Sequence, residues 1–278
     1  MSSSHALRRG QHAVITGGSS GLGLALATAL AQRGLDVTLL ARDRDRLDQA
    51  KEHIASVAPQ AQVRLYAVDV SDFEATEAAI DDLTGPGIGI NVVINSAGIV
   101  REGYFEATSS SDFRTVMEID FFGTLNVTRA WLSHLRASGG RVVNISSMAG
   151  LVGVFGETAY CAAKYAVTGF SEALRLEVEP QGVTVQLVCP GQFDTPMVEE
   201  LNTYRTPENG ALVGAFGTMP LDEVTREVIN GIDRGSPLII PGRIMRVSWF
   251  AQRIAPGLLR RFMRRQVASV YQGPSRAA

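Results

Sequence analysis

Tyr160 and Lys164 lie four residues apart in a segment whose apolar spacing predicts a helix. That spacing stacks their side chains on one helix face. A free phenol loses its proton only near about pH 10, so it is a poor acid or base at neutral pH. A neighbouring ammonium favours the phenolate and brings that value down. Such a pair can pass a proton to or from an oxygen atom. Lys51 is the only other lysine in this Arg-rich chain, and Arg would serve if surface charge alone mattered. Alone, Tyr-x3-Lys reads equally well as a helix-surface pair. Ser147, thirteen residues before the tyrosine, adds a hydroxyl able to polarise a carbonyl. Ser146 competes for that role. Alternate strand residues face opposite ways, so only one of the two should point at a substrate.

A second group of residues carries phosphate chemistry. Thr16-Gly-Gly-Ser-Ser-Gly-Leu-Gly23 follows an apolar strand and opens a helix. Glycine there lets the backbone turn sharply and approach a pyrophosphate, which the helix N-terminus then receives. Gly17, Ser19, Ser20, Gly21, Leu22 and Gly23 are therefore candidate contacts to a dinucleotide. The next strand ends in Ala41-Arg42. An acid at that position binds the ribose 2′-hydroxyl of NAD, whereas Arg accommodates the 2′-phosphate of NADP. Arg42 stands there, with Arg46 one turn further on, so NADP(H) is the expected cofactor. Asp43 comes one residue late and reads as a helix cap. Asp69 and Val70 follow the third strand, where they would cover the adenine. Asn95-Ser-Ala-Gly98 follows the fourth, with Asn95, Ala97 and Gly98 near the adenosine and the nicotinamide ribose. No metal site is expected.

These residues need a frame that brings strand ends together. Apolar runs at His12–Thr16, Asp36–Ala41, Val63–Val68, Asn91–Asn95, Arg141–Ser146, Val183–Val188 and Leu238–Ile240 read as strands. Helical patterns alternate with them at Gly21–Arg33, Asp43–Val57, Ser71–Leu83, Ser110–Ala137, Thr158–Glu177 and Leu221–Arg234. Alternation of this kind gives βαβ units and a buried parallel sheet. The expected fold is a doubly wound α/β sheet, a three-layer αβα sandwich, with ligands at the carboxyl ends of the strands. Residues 1–242 form one catalytic domain in this reading, with residues 192–219 as a substrate lid.

The net charge of −2 gives no nucleic-acid signature. It is unevenly spread, because Gly235 to the end holds eight Arg and no acid. Residues 243–278 read as a basic amphipathic extension. Within it, Leu258, Leu259, Phe262, Met263, Val267 and Val270 form an apolar stripe flanked by Arg260, Arg261, Arg264 and Arg265, with Pro256-Gly257 separating two short helices. Such a helix can lie on an anionic membrane surface or dock on protein. The N-terminal MSSSHALRRG is polar, no run of 18 apolar residues exists, and Cys161 and Cys189 are isolated, so a reducing cytoplasm is expected.

Taken together, Thr16–Gly23, Asn95–Gly98, Ser147, Tyr160, Lys164 and Pro190-Gly191 resemble the short-chain dehydrogenase/reductase family, from about Gln11 to Ile240. The resemblance implies a Rossmann fold, NAD(P) and a Ser–Tyr–Lys site, in which tyrosine donates the proton and lysine also holds the nicotinamide ribose. It places Pro190 and Gly191 against the cofactor and, after them, Phe193 and Thr195 at the carboxamide, and implies a homodimer or homotetramer. The family's usual helix asparagine, which helps hold a relay water, falls at Asp120, a departure that puts a carboxylate near Lys164. Gly150–Pro207, Ala41–Leu47 and Ile240-Pro-Gly242 are further similar to 3-ketodihydrosphingosine reductases, which reduce a long-chain keto lipid with NADPH. The expected reaction is therefore reduction of a ketone to a secondary alcohol, or its reverse, on a small and lipid-like molecule. The alternatives are a 3-oxoacyl or hydroxysteroid-type dehydrogenase, and a catalytically silent NADP-binding regulatory module.

Overall fold

The computed structural model describes residues 6–83 and 89–271. Seven strands form one parallel sheet: β1 (His12–Thr16), β2 (Asp36–Ala41), β3 (Val63–Ala67), β4 (Val92–Asn95), β5 (Arg141–Ile145), β6 (Thr184–Val188) and β7 (Leu238–Ile239). Their spatial order is β3-β2-β1-β4-β5-β6-β7. The order reverses at the β1–β4 junction, where Ile15 pairs with Leu39 on one side and with Ile94 on the other. A crevice opens at such a reversal, beyond the carboxyl ends of the strands.

Strand pleating decides which helices cover each face. Ala13 and Ile15 of β1 point to one layer and Val14 to the other. The first layer holds Leu22, Leu26 and Leu30 of α1 (Gly21–Gln32), Leu47 and Ile54 of α2 (Arg44–Val57), and, beyond the sheet's midline, Val224, Val228 and Ile232 of the helix at Leu221–Asp233. The second holds residues of α3 (Phe73–Leu83) and, further along, Trp131 and Leu135. Glycine ends the first helix as expected: Gly34 has φ +83° and its N–H returns to Ala31 O. Asp43 caps α2, accepting from Arg46 N at 3.0 Å.

Two stretches depart from the sequence reading. The long helix of 110–137 is three pieces: α4 (Ser110–Met117), a π-helical segment at Glu118–Phe122, and α5 (Gly123–Ser138). The widened turn coincides with a side chain that must reach away from the helix, since Asp120 Oδ1 accepts from Ile99 N at 2.8 Å. After α6 (Thr158–Val178), the expected lid also contains two short helices, α7 (Pro196–Asn202) and α8 (Pro207–Gly214). Each has Pro at its first position and a Thr cap, Thr195 and Thr206, each hydroxyl accepting at 3.3 Å.

α9 (Leu221–Asp233) precedes β7, and the chain ends in α10 (Arg243–Ile254) and α11 (Pro256–Tyr271). Residues 272–278 of the expected extension lie outside the described residues. α11 packs against α8 through its inward side: Leu259 is buried, and Phe262 meets Phe216 edge-on at 5.7 Å. The expected single stripe is thus divided, because Leu258 is 71% exposed. On α10, Ile244, Val247, Phe250 and Ile254 form a solvent-facing row, all of them exposed.

Candidate active site

The two serines at the end of β5 separate as strand alternation requires. Ser146 turns inward, donating to Lys164 O at 3.0 Å and sitting 3.2 Å from Thr168 Oγ1. Ser147 faces the crevice, its Oγ accepting from Ala149 N at 3.1 Å. It lines one cavity of about 280 Å³ together with Tyr160 and Lys164. The same cavity reaches Gly17, Ser20, Gly21, Leu22 and Gly23, the Ala97-Gly98 pair, and Pro190, Gly191, Phe193 and Thr195.

A lysine ammonium at the centre of a fold needs partners. Lys164 Nζ lies 3.0 Å from Asp120 Oδ2 and donates to Ile145 O at 3.2 Å, while standing 5.4 Å from the Tyr160 ring centroid. Asp120 is fully buried. Burial pushes its carboxyl upward, against the pull of Lys164 and of the Ile99 N–H. This arrangement corrects the expectation that Lys164 lowers the tyrosine. Burial drives the Tyr160 phenol well above its ordinary value, and the negative charges of Asp120 and Glu157 push the same way. The Ser147 hydroxyl beside it acts in the opposite sense. The phenol is therefore held protonated, chiefly by burial.

The glycine turn fits a dinucleotide on steric grounds. A Cβ at Gly23 would stand 2.3 Å from Gly17 O, and one at Gly17 only 3.0 Å from Ala97 N. Gly17 and Gly21 also have positive φ, +65° and +51°. Ser20 precedes α1 without a side-chain cap bond, so the first N–H groups of the helix have no hydroxyl over them. Thr16 Oγ1 fixes the facing loop, accepting from Ser96 N and Ala97 N at 2.9 and 3.0 Å.

Other expected contacts stand apart from this cavity. Asn95 points into the core, donating to Thr128 Oγ1 and Asn144 Oδ1 at 2.9 and 2.8 Å, so its side chain braces the loop. Arg42 lies at the end of β2, exposed and 3.9 Å from Asp69. Arg46 lies 3.5 Å from Asp43. Asp69 also binds Ser71, accepting from its N–H and hydroxyl at 3.0 and 2.7 Å. Val70 is buried against Gly123, where a Cβ would come within 2.6 Å of it. Ser19 is half-buried in the turn. Both cysteines are free, and burial pushes their thiols up, to about 11 for Cys161 and about 12 for Cys189.

The sequence reading missed the rest of the wall. Val152, Val154, Leu212 and Phe216 make one side apolar, and Met245, Leu259 and Met263 of the C-terminal helices complete it. Glu157 is also there, 8% exposed, with burial pushing its carboxyl up to about 7. Its place three residues before Tyr160 was the available signal.

Comparison with known proteins agrees with this geometry. The family model described as short chain dehydrogenase matches residues 11–206. A 3-ketodihydrosphingosine reductase of Mus musculus is 34% identical over 234 residues, 82% of this chain and 70% of that protein. A putative oxidoreductase SadH of Mycobacterium tuberculosis is 36% identical over 241 residues, 84% and 86% of the two chains. Among solved structures, a short-chain dehydrogenase from Sphingobium yanoikuyae in complex with NADPH superposes with a TM-score of 0.75 at 26% identity, covering 96% of this chain and 98% of its own. Sequence, sheet order and site thus converge, and the chain belongs to the short-chain dehydrogenase family of oxidoreductases.

Proposed function

We propose that the protein is an NADP(H)-dependent reductase of ketones carrying a long apolar chain, forming a secondary alcohol or running the reverse. The observation that carries this reading is one cavity joining the glycine turn, the Ser147–Tyr160–Lys164 group and an apolar far wall. That wall does not stop at the cavity. Val152, Val154, Leu212 and Met263 also line a neighbouring open recess of about 880 Å³ along α11. A linear hydrocarbon suits such a continuation. The likeness to a 3-ketodihydrosphingosine reductase supports it.

Each residue then has a task. The glycine turn and the α1 N-terminus would hold the pyrophosphate. Arg42, with Arg46 and Ser19 nearby, would take the 2′-phosphate. Asp69 and Val70 would border the adenine, the 95–98 loop would pack on the adenosine side, and 190–195 would meet the carboxamide. When bound, the nicotinamide supplies or accepts the hydride. Ser147 orients and polarises the carbonyl oxygen. Tyr160 delivers its Oη proton to that oxygen. Lys164 holds the ribose, and Asp120 holds Lys164 in place. The segment 192–219 closes over the substrate. The single domain of residues 1–242 and a homodimer or homotetramer belong to the same proposal.

The exposed row on α10, with Leu258, is flanked by the arginines of α10 and α11, and supports peripheral contact with an anionic bilayer. No helix among the described residues is long and apolar enough to cross a membrane.

The test is NADPH and NADH oxidation with long-chain ketones, a long-chain 3-keto amine, 3-oxoacyl thioesters and ketosteroids. The expected result is turnover of long-chain ketones with NADPH preferred, a preference that Arg42→Ala reduces by about tenfold or more, the value of one charge-assisted bond. Turnover confined to thioesters or steroids would replace the substrate class. Equal losses with both cofactors would remove the 2′-phosphate role of Arg42.

A further inference from the structure

Among the described residues that line the reactive cavity, Glu157 is the only acid. It immediately precedes α6 and lies three residues before Tyr160, and both residues line this cavity. An ionised carboxylate among apolar groups is costly unless a positive charge or several donors answer it. Glu157 receives little of either. Its Oε1 accepts from Asn209 Nδ2 at 3.1 Å, and among the described residues no other hydrogen bond or ion pair is seen to its carboxylate.

The surroundings are short of positive charge. Arg205 is the nearby cation, but its guanidinium is directed at amide oxygens, donating to Gln192 Oε1 at 2.7 Å, to Asn202 Oδ1 at 2.9 Å, and to Asn209 Oδ1. Two further carboxylates fasten the lid at the same end. Glu102 accepts from Thr206 N at 3.0 Å and Thr206 Oγ1 at 2.5 Å, and Glu208 accepts from Tyr104 Oη at 3.0 Å. Burial pushes Glu157 up to about 7, Glu102 adds to that, and Asn209 and Arg205 oppose it. Tyr160 and Cys161 are the other titratable groups that feel its charge. The lid fastenings account for Glu102 and Glu208. They do not account for a carboxylate in the wall of the space where a substrate must sit.

We propose that Glu157 is a specificity-determining residue that receives a protonated amine carried by the substrate one or two bonds from the reacting carbonyl. The placement fits: Glu157 lines the same cavity as Ser147 and Tyr160, and its charge acts on the Tyr160 phenol. An ammonium there supplies the missing counter-charge and forms a charge-assisted hydrogen bond. The inference rests on the ketone-reductase reading and adds the substrate's cationic group to it. The carboxylate form fills as pH rises through about 7, so discrimination for the amine grows over that range, until the amine itself loses its proton.

The test compares two ketones of equal chain length, one with a 2-amino group and one without, by NADPH oxidation. Wild type is expected to favour the amino ketone by about ten- to a hundredfold in kcat/KM, the value of one such bond. Glu157→Gln keeps an acceptor for Asn209 and should bring the ratio close to one, chiefly through KM. An unchanged ratio, or equal losses on both ketones, overturns the proposal and leaves Glu157 as a lid anchor. A second arm needs no turnover: the rise in Tm given by a long-chain primary amine is compared with that given by the alcohol of equal length, each with NADPH. The amine should stabilise wild type more, and Glu157→Gln should lose the difference. If wild type reduces neither ketone yet keeps this difference, the reductase reading fails and the carboxylate's role stands. If wild type reduces both ketones but shows no preference for amines in either arm, only the Glu157 proposal fails.

Discussion

Tyr160 sits beside Asp120 and Glu157, and burial together with both carboxylates raises its phenol. The phenol therefore enters the reductive direction with its proton in place, and the same environment makes it a weaker acid in giving that proton up. Tyr160→Phe keeps the ring and removes the proton. Turnover should fall by about a hundredfold or more, while NADPH binding, followed by fluorescence, should stay near the wild-type level. Turnover kept within a few-fold of wild type would assign the proton to another group. Ser147 was legible in the sequence once strand alternation was applied, although alternation alone did not say which serine faced outward. The bond from Ser146 to Lys164 O settles it.

At the scale of elements, strands and long helices follow from sequence because their apolar residues repeat at the right period. His12–Thr16 and Asp36–Ala41 have the bounds read from it. α7 and α8 were not legible, because seven- and eight-residue helices inside a Gly- and Pro-rich stretch give no sustained period. Only their Thr caps and N-terminal prolines announce them. The π segment was equally hidden, since one extra residue in a turn leaves composition unchanged. It carries Asp120, whose ion pair with Lys164 joins the α4–α5 helix to α6. Removing one partner of a buried pair strands the other charge. Asp120→Ala should therefore destabilise the fold by about 3–5 kcal/mol in denaturant unfolding, with Asp120→Asn milder because its one amide oxygen can still accept from either Lys164 or Ile99. A loss below about 1 kcal/mol for Asp120→Ala would mean that water already answers the lysine.

For the whole molecule, the C-terminal helices have two faces with different obligations. The inner face closes the cavity through Met245, Leu259 and Met263. The outer face presents Ile244 at 57%, Val247 at 67%, Ile254 at 66% and Leu258 at 71% exposure. Charge reversal along the chain was readable from composition. The division of apolar residues between α10 and α11 was not, because it depends on where α11 meets α8. Replacing Ile244, Val247, Ile254 and Leu258 by Ser spares the cavity wall. That variant should lose binding to anionic vesicles in a flotation assay while its Tm changes little, and retained flotation would move the docking surface elsewhere.

The widened turn at Glu118–Phe122 also sets a phase relation along its helix. An ideal α-helix advances each residue by about 100°. Winding this stretch as a regular helix, with no residue removed, would turn everything after it by about that angle relative to everything before it. Val116 on one side and Trp131 and Leu135 on the other are all buried, so a regular helix could seat only one of the two groups. The extra residue thus acts as a spacer between two core registers. The residue at its centre, Asp120, is the one turned toward Lys164.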